Sequence, residues 1–236
     1  MNVPTTLHSW DDSVALFERR GLPVSTYENL YEESYDVHTG ALSIDGHFDL
    51  DAAELDGTGY IVDGDLDVSG AVLNIDDGCP ALIVLGDLRA AAVYLEGDAK
   101  LLVRGSVHVE AFVGNMTDKL VMLHGDLRAG VTVLSAEFAP DLVEGTLDGP
   151  VLAPAYLAPS FAAAPVAADA VLVPEVLRTG VDDESESLRC FDAPGVHGGR
   201  LLRRIEAGLP VTLARSGPAP ASDGDAGATG NGVVEG

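Results

Sequence analysis

Apolar and polar residues alternate in short runs that return about every twenty residues, and each run carries a glycine at the same place. The marks are Asp45-Gly46-His47-Phe48, Asp63-Gly64-Asp65-Leu66, Leu85-Gly86-Asp87-Leu88, Arg104-Gly105-Ser106-Val107, His124-Gly125-Asp126-Leu127 and Glu144-Gly145-Thr146-Leu147, with glycines 18, 22, 19, 20 and 20 residues apart. Two residues before them stand Ile44, Val62, Val84, Val103, Leu123 and Val143; two after stand Phe48, Leu66, Leu88, Val107, Leu127 and Leu147. A third column, four residues after, reads Leu50, Val68, Ala90, Val109, Ala129 and Gly149. Apolar residues at every second position predict half-buried strands. A column nine residues after the glycine holds Leu55, Leu73, Leu95 and Leu134, broken by Gly114 and Pro154, and predicts a second strand in each unit.

Parallel strands cannot be joined by tight hairpins, so a twenty-residue unit without a helical stretch winds round and stacks each strand on its counterpart one turn later. The expected fold is all-β: a single-stranded parallel β-helix, or solenoid, of about six short coils over residues 39–150, with small helical flanks. The glycines Gly46, Gly64, Gly86, Gly105, Gly125 and Gly145 are expected at corners, where a positive φ or a sharp bend is needed. Six coils at roughly 4.8 Å each make a stack about 30 Å long whose two open ends need covers or partners.

Residues 1–38 are read as a helical and capping segment. Residues 9–20, with Trp10, Val14, Leu16 and Phe17 apolar and Gly21 and Pro23 following, predict a helix that caps the first coil. Tyr27, Leu30, Tyr31 and Tyr35 are expected over the open end. Residues 151–214 are read as a linker plus a short helix. The Ala- and Pro-rich stretch 151–166 is the extended linker, 171–177 is short and apolar around Pro174, and 182–186 is an acidic patch. Residues 196–207 predict an amphipathic helix with Arg200, Arg203 and Arg204 opposite Leu201, Leu202 and Ile205. Residues 215–236 lack core-forming side chains and are read as a disordered acidic tail.

Charge narrows the partners. Against 38 acidic residues stand 13 lysines and arginines, for a net charge of −25. That balance repels nucleic acid and anionic membranes and favours basic proteins. No segment has the roughly 20 uninterrupted apolar residues of a membrane span, and the first residues lack a signal pattern, so the expected location is cytoplasmic. Two cysteines, Cys79 and Cys190, make neither a disulfide framework nor a zinc spacing and are expected as thiols.

The candidate chemistry lies on the exposed columns. Acidic outer coils with Asp45, Asp49, Asp63 and Asp67 flank a basic middle with Arg89, Arg104, His108, His124 and Arg128; together they form a candidate interaction surface. Opposite charges on neighbouring coils also read as ordinary cross-strand pairs. Asp65, Asp87 and Asp126 do not repeat as a calcium β-roll requires, because His47, Ser106 and Thr146 stand at the same offset. Short polar residues there are expected to accept hydrogen bonds from turn N–H groups. No metal ligand, cofactor site or catalytic residue is assigned. The set His108, Glu110, Arg128 and Asp67, which a carbohydrate-cleaving β-helix enzyme would need on one face, is set aside because near-constant coil length leaves no long loops to wall a cleft.

The repeated Val-x-Gly-Asp-Leu, as in Ile61-Val62-Asp63-Gly64-Asp65-Leu66 and Ile83-Val84-Leu85-Gly86-Asp87-Leu88, resembles the bactofilin-like, polymer-forming cytoskeletal proteins of bacteria over about residues 40–149. The resemblance implies a right-handed β-helix that stacks end to end into filaments without nucleotide. Substantial folded flanks depart from that pattern, and flanks that cap the ends would block growth. The expected function is therefore a non-catalytic structural or interaction protein, with self as partner in a homo-oligomer or polymer. The alternative is a discrete acidic binder of a basic protein, such as a toxin-neutralising immunity protein; a carbohydrate-active enzyme is the third class.

Overall fold

The computed structural model describes residues 3–52, 55–76, 78, 80–117, 119–157, 166–180 and 191–214; Cys79, Cys190, the acidic patch, the 215–236 tail and residues 158–165 of the expected linker lie outside them. The chain begins with strand β1 (Thr6–His8), helix α1 (Trp10–Arg20) and a single turn, α2 (Val24–Tyr27). Six coils follow. The first holds β2 (Tyr35–Thr39), β3 (Leu42–Ile44) and β4 (Phe48–Asp49), and the second β5 (Gly59–Asp63) and β6 (Leu66–Asn74). The third to fifth are β7 (Ala81–Val84) with β8 (Leu88–Leu95), β9 (Lys100–Val103) with β10 (Val107–Asn115), and β11 (Leu120–Leu123) with β12 (Leu127–Ser135). The sixth is short: β13 (Leu142–Val143), β14 (Leu147–Asp148) and β15 (Val151–Leu152). Helix α3 (Gly198–Glu206) lies near the end.

All pairings between coils are parallel, so the fold is a parallel β-solenoid of six turns with small helical flanks. One ladder runs β2-β5-β7-β9-β11-β13 and the other β3-β6-β8-β10-β12-β14. Each long strand of the second ladder bends. In β8 the side chains entering the central core are Leu88 and Ala90, then Val93 and Leu95, so the alternation slips by one near residue 91. Coil two makes the same corner with one extra residue, which shifts the register between Val68 and Ala71. Each coil therefore has three faces: face one from the first ladder, face two from the first halves of the long strands, and face three from their second halves. Leu66, Leu82, Leu88, Val93, Val103, Val107, Phe112, Leu123 and Leu127 fill the interior at 0–1% exposure. Each contributes about 1.5–3 kcal/mol by leaving water.

The recurrent glycines turn the corner between faces one and two. Gly64, Gly86, Gly105, Gly125 and Gly145 stack directly, with Gly105, Gly125 and Gly145 each donating to the glycine carbonyl one coil earlier at 2.9–3.2 Å. A Cβ on any of the five would lie 2.6–2.7 Å from that neighbour's carbonyl carbon. Of the two expected reasons, a positive φ or a sharp bend, none of the five shows the positive φ; close backbone approach at the bend is what excludes other residues. In coil one the column is continued by Gly40, since Thr39 pairs with Asp63 and Leu42 with Leu66. Gly46, aligned with this column by spacing, instead turns the next corner at φ +87° and accepts the Gly70 N–H. The frame is ambiguous in the sequence because the interior position before Gly40 is polar His38, which at the end of the stack binds the Pro4 carbonyl at 2.9 Å.

The flanks lie along the sides. Leu16, Phe17, Leu22, Tyr27, Leu30 and Tyr35 pack on the outward side chains of face one, Ile61, Ala81, Ile83 and Leu102, with Trp10 against Phe17, Tyr27 and Tyr35 at 6.2–6.5 Å. Trp10 and the tyrosines are thus a lateral cover, and the expected cap is made elsewhere: β1 pairs antiparallel with β2, and Val3 enters the interior core. Lateral packing follows from face one being apolar on its outer side as well, with Ile61, Ala81, Ile83 and Leu102 there to be buried. Face three is covered in the same way. Its outward Ala71, Leu73, Ala92, Tyr94, Val113, Val131 and Val133 pack against Leu172, Val176, Phe191, Val196, Leu201 and Ile205. Residues 151–152 of the expected linker form β15, a part of coil six.

Candidate interaction face

Among the described residues the two covers leave face two bare, apart from the junction at its edge with the C-terminal cover. Register places Ser43, Asp67, Arg89, His108, Arg128 and Asp148 one above another along it. Their strand neighbours point into the core, so this column points outward. Asp67, Arg89 and Arg128 are each about half exposed. Between coils one and four the face is hollowed into an open groove of about 690 Å³, lined by Asp45, Asp67, Ser69, Arg89 and His108 over Ile44 and Val68. The hollow is open and walled by side chains, with no long loop, and it lies where coils one and two carry the longer corner.

Beside this column runs a ladder of short polar residues that joins successive coils. The Asp65 carboxylate accepts the Asp87 N–H at 2.8 Å, Asp87 accepts the Ser106 N–H at 2.9 Å, and the Ser106 hydroxyl accepts the Asp126 N–H at 3.1 Å. Asp126 accepts both the N–H and hydroxyl of Thr146 at 2.9 Å. Those two donors, with Arg128, hold the Asp126 carboxyl down to about 2. These side chains hold the next coil's backbone, the same corner-stabilising chemistry expected within each turn.

The candidate residues divide between places. Asp67, Arg89, His108 and Arg128 share face two, and Asp45 borders the groove, accepting the Ser69 hydroxyl at 3.0 Å. Asp63, Arg104 and His124 belong to the corner of face one. There Asp63 binds Arg20 at 2.5 Å, and His124 bridges Thr26 at 2.8 Å and Glu144 at 2.7 Å, so both anchor the N-terminal cover. Asp49 accepts the Asp51 and Ala52 N–H groups in the turn after coil one.

Of the constellation considered for an enzyme, Asp67, His108 and Arg128 share face two and Glu110 does not. Glu110 turns to the C-terminal cover, where one carboxylate oxygen accepts Val211 N–H, Thr212 N–H and the Thr212 hydroxyl at 2.8–3.0 Å. Asp67 and His108 lie two coils apart, about 10 Å between backbones. Among the described residues no group of three His, Cys, Asp or Glu is placed to hold a metal ion, and no helix is long and apolar enough to cross a membrane.

The sequence reading missed two anchors of the C-terminal cover: the Glu110 clamp and Asp192. Asp192 accepts the Ser135 hydroxyl at 3.0 Å, the Ala136 N–H at 2.8 Å and the Tyr156 hydroxyl at 2.6 Å. Partial burial pushes the Asp192 carboxyl up, but those three donors outweigh it and hold it below its ordinary value. Nothing local marks either acid, since each finds its donors far along the chain. Comparison with family models, curated proteins and solved structures finds no match to this chain.

Proposed function

We propose that the chain is a non-catalytic, cytoplasmic interaction scaffold that presents face two of its solenoid to another protein. The observation that carries this proposal is the placement of the flanks, whose described residues bury the two outwardly apolar faces and leave uncovered the one lined by charged and hydroxyl side chains. A surface of mixed charge on a stiff stack of parallel strands suits specific protein contact, because its charges are held in register before the partner arrives. The test is a paired co-purification of the full-length protein. Asp67→Arg with Arg128→Glu is expected to lose partners that Glu18→Arg, on the outer side of α1, retains. Equal retention by both variants would contradict the proposal.

Self-assembly in the manner of the bactofilin-like proteins is a second proposal, supported by the far end of the stack. Among the described residues β13 and β14 are paired on one side only, and Leu142, Val143 and Leu147 are half-buried. An unpaired edge is a template for another strand. At the other end β1 and Val3 stand in the way, so growth in both directions requires their displacement. Sedimentation velocity of the full-length protein decides this proposal: concentration-dependent oligomers that Leu147→Asp abolishes support it, and a single small species at all concentrations removes it.

A further inference from the structure

We infer that the groove at the first two coils of face two receives a lysine or arginine side chain from an extended basic segment of a partner protein. In coils three and five the repeat reads Gly-Asp-Leu-Arg, and the aspartate and arginine two residues apart pair at 2.8 Å, Asp87 with Arg89 and Asp126 with Arg128. Coil two breaks the rule: Gly64-Asp65-Leu66-Asp67 sets a second carboxylate where the arginine belongs. Coil one adds Asp45, whose described partner is the Ser69 hydroxyl. The nearest cation is Arg89, with one nitrogen bound to Asp87 and the other 3.8 Å from both Asp65 and Asp67. Two carboxylates of coil two therefore share a guanidinium that already has a closer partner in Asp87, and Asp45 of coil one lines the same groove.

A cation from outside gives those carboxylates a partner, and the groove has room for its aliphatic stem along the strand backbone at residues 44, 68 and 90. Leu209, half exposed beside the corner at Ser69 and Ala91, gives the flanking residues of such a segment an apolar contact. The net charge of −25 steers a basic chain toward the protein and repels anionic ligands.

The inference rests on face two being the contact surface, and the test separates the two. Full-length protein is titrated into a fluorescein-labelled Gly-Arg repeat peptide at low salt, with a Gly-Gln repeat peptide as the neutral counterpart. Asp67→Arg, which restores the pairing of coils three and five, is expected to weaken Gly-Arg binding about tenfold, and Asp67→Asn about threefold. Glu18→Arg, an equal charge change on α1, is expected to alter it by less than about twofold. Equal weakening by Asp67→Arg and Glu18→Arg, or Gly-Gln binding as tight as Gly-Arg, overturns the basic anchor. A photo-crosslinker at His108 reports separately: a partner still captured there after the anchor fails leaves face two as the contact surface, whereas no capture removes both.

Discussion

Faces two and three are built from the same strands yet have opposite outer surfaces. The first half of β10 turns His108 outward to water, and its second half turns Ala111 and Val113 outward beneath the C-terminal cover. Both halves are equally apolar on the inside, so the interior does not decide which is covered. The outer column decides. Leu73, Tyr94, Val113 and Val133 on face three recruit residues 166–180 and 191–214, while Asp67, Arg89, His108 and Arg128 on face two recruit nothing among the described residues. A flank of fixed length goes where it buries the most apolar area, and in a solenoid that is a side rather than an end.

The comparison breaks most visibly at matched positions of one strand. Val113→Asp places a carboxylate in the sealed layer under the cover, with an expected loss of about 3–5 kcal/mol. His108→Asp, five residues earlier on face two, is expected to stay within about 0.5 kcal/mol of the parent. Urea unfolding of the two variants measures the contrast, and equal losses would mean that face two is also buried. Next is the corner that separates the covered face one from face two. Gly105→Val brings side-chain atoms against the Gly86 carbonyl and is expected to cost about 1–3 kcal/mol by the same assay.

Most of the solenoid was legible because its interior columns repeat with period two; the exceptions are coil one, framed on Gly46 instead of Gly40, and Leu73, which the extra residue of coil two turns outward although Leu95 and Leu134 of the same column point inward. The outer faces were less legible. Ala91-Ala92-Val93-Tyr94-Leu95 reads as a strand, but a slip of one in the alternation at a corner is invisible without the fold, so Tyr94 and Val113 could not be assigned outward. The covers were misplaced for the same reason: a helix with an apolar stripe announces that it packs, and not on which surface. Of the candidate site, the column Asp67, Arg89, His108 and Arg128 was found from its constant offset after the glycine. Asp63, Arg104 and His124 share an equally regular offset, and only the position of α1 and α2 shows that they border a covered face.

Smaller effects sharpen the boundary between the faces. Glu110→Gln leaves an amide where three donors converge on one carboxylate oxygen, and is expected to cost about 1–2 kcal/mol. Faster hydrogen exchange at the Val211 and Thr212 amides, without change in the N-terminal cover, would locate the loss. The smallest effect is one of pH. Asp126 is held at about 2 in the fold, below its ordinary 3.8, so its contribution is fully present above about pH 4 and disappears as pH falls toward 2. Thermal unfolding of the parent and of Asp126→Asn should therefore converge on acidification through that window, and a constant gap would show that the carboxylate's charge is not what holds Thr146.

The central claim is that face two meets a partner while faces one and three are closed by the chain itself. Photo-crosslinking residues placed in the full-length protein at His108 and Arg128 on face two, and at Glu18 and Arg203 on the outer sides of the covers, test it directly. Crosslinks to one partner from His108 and Arg128 but not from Glu18 or Arg203 are the expected result. A partner captured from the covers, with His108 and Arg128 silent, would contradict the account.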